Sequence, residues 1–125
     1  MLIADDDPDI LRALGFLMRR EGYDVRTATD GEEALAAIAS RSPDLLLLDL
    51  MMPRGNGHDI CRTLRADPAN AGMRIVMLTA KGRPDDQKFG LALGADAYVT
   101  KPFAIRDVVA CVAGVLARPR PAGVA

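Results

Sequence analysis

Asp5, Asp6, Asp49, Thr79 and Lys101 each stand at or just beyond the end of a short apolar run. Asp5-Asp6 follow Met1 to Ala4, Asp49 closes Leu45-Leu46-Leu47-Leu48, Thr79 closes Ile75-Val76-Met77-Leu78, and Lys101 follows Ala97-Tyr98-Val99-Thr100. Brought together, three carboxylates, a hydroxyl and an ammonium suit one kind of chemistry. Two unit charges about 4 Å apart repel by roughly 4 kcal/mol at an effective dielectric of about 20, so three carboxylates cannot stay ionised in one crevice unaided. A divalent cation removes that penalty. An all-oxygen donor set completed by water and phosphate favours magnesium, with manganese as the alternative. With its charge masked by the cation and by Lys101, Asp49 can approach an anionic phosphoryl donor in line, while Thr79 donates to one phosphoryl oxygen and Lys101 pairs with another. The product is an acyl phosphate on Asp49. Taken singly, an Asp behind a buried run is more often a turn former or a helix cap; company makes the difference.

The elements that must position these groups follow from the apolar spacing. Four leucines entered from Ser42-Pro43-Asp44 and left through Pro53 are too short and too uniform for an amphipathic helix, and read as a strand buried on both faces. Met1 to Ala4 is a first strand, its abrupt start leaving room for residues upstream. Asp7-Pro8 reads as a cap and a first-position proline, and Ile10, Leu11, Leu14, Leu17 and Met18 share one helical face. Tyr23 to Ala28 is a half-covered strand. Asp30, with Glu33 at the capping-box position, opens a second helix carrying Leu35, Ile38 and Ala39. A third helix runs from about Asp59 with Ile60, Cys61 and Leu64 inward. A fourth opens at Lys81-Gly82-Arg83-Pro84, contains Gly90 and stops at Gly94. Ile105, Val108, Val109, Val112 and Leu116 stripe a fifth. Five strands alternating with five helices define an α/β, doubly wound parallel sheet with helices on both faces. The strand order 2-1-3-4-5 is carried over from known sheets of this kind; it gathers the carboxyl ends of strands 1, 3, 4 and 5, and all five chemical groups, around one crevice.

The 125 residues amount to one domain. With 16 basic and 17 acidic residues and a formal net charge of -1, there is no basic excess to bind nucleic acid directly or to hold an acidic membrane surface. Cys61 and Cys111 read as small buried or half-buried hydrophobes of a reducing compartment. No run has membrane-spanning length and no signal-type core follows a basic start, which points to the cytoplasm. Residues 1–117 form the domain, and 118–125, rich in Pro, Arg and Gly, are a tail or the start of a linker with Arg118 and Arg120 solvated. Asp7 is expected to cap, His58 to lie exposed on the surface, and the methionines to fill the core and pack the loops.

These residues closely resemble the receiver domains of two-component response regulators. The resemblance covers nearly the whole chain: Asp5-Asp6, Asp49 with Met52-Pro53 and Gly57, Thr79-Ala80, Gly94-Ala95-Asp96, and Lys101-Pro102-Phe103. It implies a flavodoxin-like fold and a phosphoryl group taken by Asp49 from a phosphohistidine of a sensor histidine kinase or histidine phosphotransfer protein. It further implies that Asp6, Asp49 and the backbone carbonyl of Met51 ligate magnesium, with Asp5 acting mainly through water. Thr79 and Tyr98 form the switch, Tyr98 turning from exposed to buried, and the Lys101-Pro102 peptide is cis. The surface of the fourth helix, fifth strand and fifth helix then changes shape for a downstream effector or output domain. Such a domain is no enzyme on other substrates and catalyses only its own phosphorylation and dephosphorylation, as a monomer or a weak phosphorylation-dependent dimer. Met51 and Lys81 occupy positions that vary in the family and bear on phosphoryl lifetime. Cys111 and Ala97 depart from the residues typical of the DNA-binding subfamily that dimerises through helices 4 and 5, which argues against that dimer. Two rivals are an aspartate-nucleophile phosphatase, which needs an Asp where Met51 stands, and a receiver-like binding module that is not phosphorylated.

Overall fold

A computed structural model of the chain describes residues 1–80 and 94–118. Strands β1 (Leu2–Ala4), β2 (Arg26–Ala28), β3 (Leu45–Asp49), β4 (Arg74–Ala80) and β5 (Ala97–Lys101) form one parallel sheet in the order β2-β1-β3-β4-β5, as expected. Around it lie α1 (Pro8–Arg20), α2 (Gly31–Ser40), α3 (Gly57–Ala66) and the C-terminal helix α4 (Ile105–Ala117), with a 3-10 turn at Pro68–Asn70. Residues 81–93, which the sequence assigns largely to a fourth helix and which include Lys81, and the tail from Pro119 lie outside the described residues.

Alternation along the strands divides the core in two. Leu46, Leu48, Ile75 and Met77 pack with Ile38 of α2 and with Ile60, Cys61 and Leu64 of α3. Leu45, Leu47, Val76 and Leu78 pack on the other face with Leu11, Leu14 and Met18 of α1 and with Val108, Val112 and Val115 of α4. Covering both faces is what makes β3 and β4 continuously apolar, and each buried leucine stabilises the fold by about 1.5–3 kcal/mol. The edge strand β2 is shorter than the expected Tyr23 to Ala28, because β1 offers only Leu2, Ile3 and Ala4 as partners.

The helix starts are capped. Asp7 accepts the Asp9 N–H at 2.9 Å and Asp30 that of Glu33 at 2.7 Å; such caps are worth about 1 kcal/mol each. Glu33 reaches back to the Thr29 N–H and hydroxyl at 3.2 and 3.1 Å, one residue beyond the cap. Helix α3 begins at Gly57, two residues earlier than expected, since Asn56 caps it by accepting the His58 N–H at 2.7 Å. In α4 the residue one turn after Val112 that goes fully inside is Val115, and Leu116 is half-buried. Arg118 is not a free tail residue: its guanidinium donates to the Asp96 carbonyl at 3.0 Å, and its own carbonyl accepts from Arg74 at 2.7 Å.

Candidate functional site

Parallel pairing fixes where the strands end. Asp49 is the last residue of β3, opposite Leu78 of β4, and Lys101 is the last of β5, opposite Ala80. Asp5 follows β1 and extends it by donating its N–H to the Ala28 carbonyl at 3.1 Å. After Asp49 the chain doubles back: Leu50 N–H donates to Leu78, and Gly57 N–H to Leu50, both at 2.9 Å. A Cβ on Gly57 would lie 2.8 Å from Leu50 Cα and 3.0 Å from the Asp49 carbonyl oxygen. Only glycine allows that approach.

The expected groups converge. Carboxylate oxygens of Asp5, Asp6 and Asp49 lie within 4.8 Å of one another. Asp5 is fully buried and Asp49 is 5% exposed, whereas Asp6 is exposed. Lys101 Nζ donates to Asp5 Oδ2 at 2.8 Å and stands 3.5 Å from Asp49 Oδ2, so it favours Asp5. Asp5 Oδ1 accepts the Asp7 N–H at 2.9 Å, and Asp49 Oδ1 accepts the Met51 N–H at 3.3 Å. Thr79, at the end of β4, is 3% exposed, and its hydroxyl has no hydrogen-bond partner among the described residues. The Lys101-Pro102 peptide is cis.

Electrostatically the cluster is short of positive charge. Burial, then the neighbouring Asp5 carboxylate, push Asp49 up to about 7, and Lys101 only partly offsets them. For Lys101 burial pulls the pKa down, but the hydrogen bond to Asp5 and the charge of Asp49 outweigh it and leave it raised. One ammonium cannot neutralise three carboxylates, so the donor set fits a hard divalent cation held through oxygen. The unsatisfied Thr79 hydroxyl fits a second ligand that accepts a hydrogen bond. Met51 exposes its side chain beside the cluster.

Other residues fall differently. Tyr98 is half-buried against the core that includes Met77 and Cys61. Its hydroxyl lies 3.2 Å from His58 Nε2. His58 is thus buried, not exposed, because β5 brings Tyr98 over the first turn of α3; nothing near His58 in the sequence announces this. Also missed was the Arg65–Asp96 pair, at 3.0 Å, whose members come from elements 31 positions apart. Cys61 is fully buried and Cys111 partly so, neither is in a disulfide among the described residues, and burial pushes both thiols up. Among the described residues no helix is long and apolar enough to cross a membrane.

A doubly wound sheet with an acid cluster, a lysine and a buried threonine at one end defines a class, and the sequence comparison agrees with it. Residues 1–113 match the response regulator receiver domain, and the chain belongs to that family. It is 48% identical over 118 residues to the DNA-binding response regulator MtrA of Mycolicibacterium smegmatis, covering 94% of this chain and 50% of that protein. It is 45% identical to the alkaline phosphatase synthesis transcriptional regulatory protein PhoP of Bacillus subtilis, covering 94% and 48%. The chain therefore spans about half the length of the curated relatives it matches. Among solved structures, the chemotaxis response regulator CheY4 of Vibrio cholerae superposes with a TM-score of 0.86 at 30% identity, over 91% of this chain and 95% of that one. The receiver domain of NtrX from Brucella abortus does so at 0.87 and 27%, over 94% and 98%.

Proposed function

We propose that this domain accepts a phosphoryl group on Asp49 from a phosphohistidine of a sensor histidine kinase or histidine phosphotransfer protein. An Asp49 oxygen forms the new O–P bond as the N–P bond breaks, and its electron pair leaves with the imidazole nitrogen, which takes up a proton. Hydrolysis reverses the modification: water attacks phosphorus, and Asp49 recovers its carboxylate as phosphate departs. Asp5, Asp6, Asp49 and the Met51 carbonyl would hold magnesium, which supplies the positive charge that the carboxylates and phosphoryl oxygens need. Lys101 holds Asp5, orients Asp49 and pairs with a phosphoryl oxygen, and Thr79 donates its hydroxyl to another.

The observation that carries this reading is geometric: carboxylate oxygens of Asp5, Asp6 and the buried Asp49 lie within 4.8 Å of one another, beside Lys101 and a buried Thr79 hydroxyl that has no hydrogen-bond partner among the described residues. Phosphorylation then biases Thr79 and Tyr98, and with them the surface of β5 and α4 and the predicted helix before β5, toward a form read by an effector or output domain. The domain catalyses only its own phosphorylation and dephosphorylation. Its near balance of charge, with no basic excess, supports a reading in which any DNA contact of a longer protein would be made by residues outside this domain. We further propose a cytoplasmic location and a monomer or weak phosphorylation-dependent dimer.

Intact mass after incubation with acetyl phosphate and magnesium tests the proposal. One phosphoryl adduct is expected, lost with chelator and in Asp49→Asn. No adduct in the parent protein would favour a binding module that is not phosphorylated; an adduct that survives Asp49→Asn would move the acceptor elsewhere.

A further inference from the structure

The imidazole of His58 and the phenol of Tyr98 meet where the start of α3 faces β5, 3.2 Å apart. His58 is 8% exposed, so its ring sits in a place of low dielectric where a tyrosine hydroxyl is a strong partner. With a neutral ring, either tautomer makes the contact: the phenol O–H donates to Nε2, or Nε2–H donates to the phenol oxygen. The backbone under His58 is also held. Its N–H donates to Asn56 at 2.7 Å, and Gly57 before it is pressed against Leu50 and the Asp49 carbonyl. The imidazole therefore rides on the loop that leaves the acceptor aspartate. Tyr98 lies opposite Met77 in the β4–β5 register, two residues before Thr79 and on the same face of the sheet. It is approached from one side by β4, which carries Thr79, and from the other by α3.

We propose that His58 is a positioning residue for Tyr98: its hydrogen bond holds the ring inward before any phosphoryl group reaches Asp49, and ties that position to the loop following Asp49. This rests on the reading of Tyr98 as the switch residue. One hydrogen bond changes an inward-to-outward ratio by about fivefold, the equivalent of about 1 kcal/mol.

The protein has two tyrosines and no tryptophan, so Tyr23→Phe leaves Tyr98 as the sole reporter. Ring-13C tyrosine NMR is recorded on that background with His58, His58→Leu and His58→Gln, before and after acetyl phosphate and magnesium, with intact mass read in parallel. In the unphosphorylated protein, His58→Leu is expected to move the Tyr98 signal toward that of a solvated tyrosine by a roughly fivefold change in ratio. His58→Gln, which keeps a hydrogen-bonding group at the same reach, restores most of the shift. Phosphorylation then produces a larger Tyr98 change in His58→Leu than in the parent. A Tyr98 signal indifferent to His58→Leu, or a Gln variant behaving like Leu, overturns the proposal. Should His58→Leu not fold, a cycle of His58→Gln with Tyr98→Phe decides by stability, and additive effects overturn it. A missing phosphoryl adduct in the parent sinks the phosphoacceptor reading alone, because the comparison in the free protein needs no phosphate.

Discussion

At the carboxyl ends of β1 and β3, one lysine is shared between Asp5 and Asp49, and the Thr79 hydroxyl at the neighbouring end of β4 has no hydrogen-bond partner among the described residues. Where α3 ends, Arg65 donates to the carbonyls of Gly94 at 2.9 Å, Asn70 at 3.4 Å and Met73 at 2.5 Å, and to Asp96 Oδ2 at 3.0 Å. Asp96 Oδ2 also accepts the Ile75 N–H at 2.7 Å. Both clusters join strands to their neighbours through charged side chains, but the second is closed. Its groups satisfy one another, whereas the first is left with excess negative charge and a spare donor. Charge held without enough partners lowers stability, and it persists where a ligand supplies what is missing. Removing a charge should therefore act in opposite directions at the two places.

The largest effect is expected at Asp49. Its carboxyl ionises near 3.8 in the unfolded chain and at about 7 in the folded one. Between those values the folded state holds the extra proton, so this group makes stability fall as pH rises from about 4 to about 7; above that its cost is constant at roughly 4 kcal/mol. Asn at this position cannot ionise. Denaturation of Asp49→Asn should show it more stable than the parent at pH 8 by up to about 4 kcal/mol, with the gap closing toward pH 4. Magnesium at pH 8 should narrow the gap by stabilising the parent more than the variant, which lacks one of the three carboxylates. A gap independent of pH would mean that Asp49 is not held against its own charge.

At the closed cluster the sign reverses. Arg65→Met strips donors from three carbonyls and leaves Asp96, partly buried, without its ion partner, a loss of about 3 kcal/mol. Thermal or urea denaturation should show this at every pH from 5 to 8, and the folded variant should still take one phosphoryl group. A stability change within about 0.5 kcal/mol, as for an exposed pair, would put the two clusters in one category after all.

The difference between the clusters also explains what could be read from the chain beforehand. Asp5, Asp49, Thr79 and Lys101 were legible because each terminates an apolar run, and parallel strands carry the ends of such runs to the same edge of the sheet. Arg65 and Asp96 follow no such rule; a base in a helix's last turn and an acid before a strand have many equivalent partners until the fold chooses. His58 misled because a glycine-rich loop opening a helix suggests surface, and only the position of β5 in the sheet covers it. The short β2 reflects the length of its partner β1, which local composition around Tyr23 does not record.

The smallest effect expected, and the one that separates the two regions most sharply, is at Thr79. Valine matches threonine in shape but lacks the hydroxyl, and a buried hydroxyl without a partner costs about 1–3 kcal/mol. In a region built for stability, Thr79→Val would be neutral or harmful, since the hydroxyl would be lost from a bond. Here it should raise the urea midpoint of the unphosphorylated protein by the equivalent of about 1 kcal/mol. The same substitution should slow adduct formation from acetyl phosphate, because the donor without a partner among the described residues is the one that a phosphoryl oxygen would engage. Stability and phosphorylation moving in opposite directions on loss of a single oxygen atom would mark Thr79 as kept for a ligand. A variant both less stable and unaltered in phosphorylation would mean that the hydroxyl serves the fold, and the contrast with Arg65 would disappear.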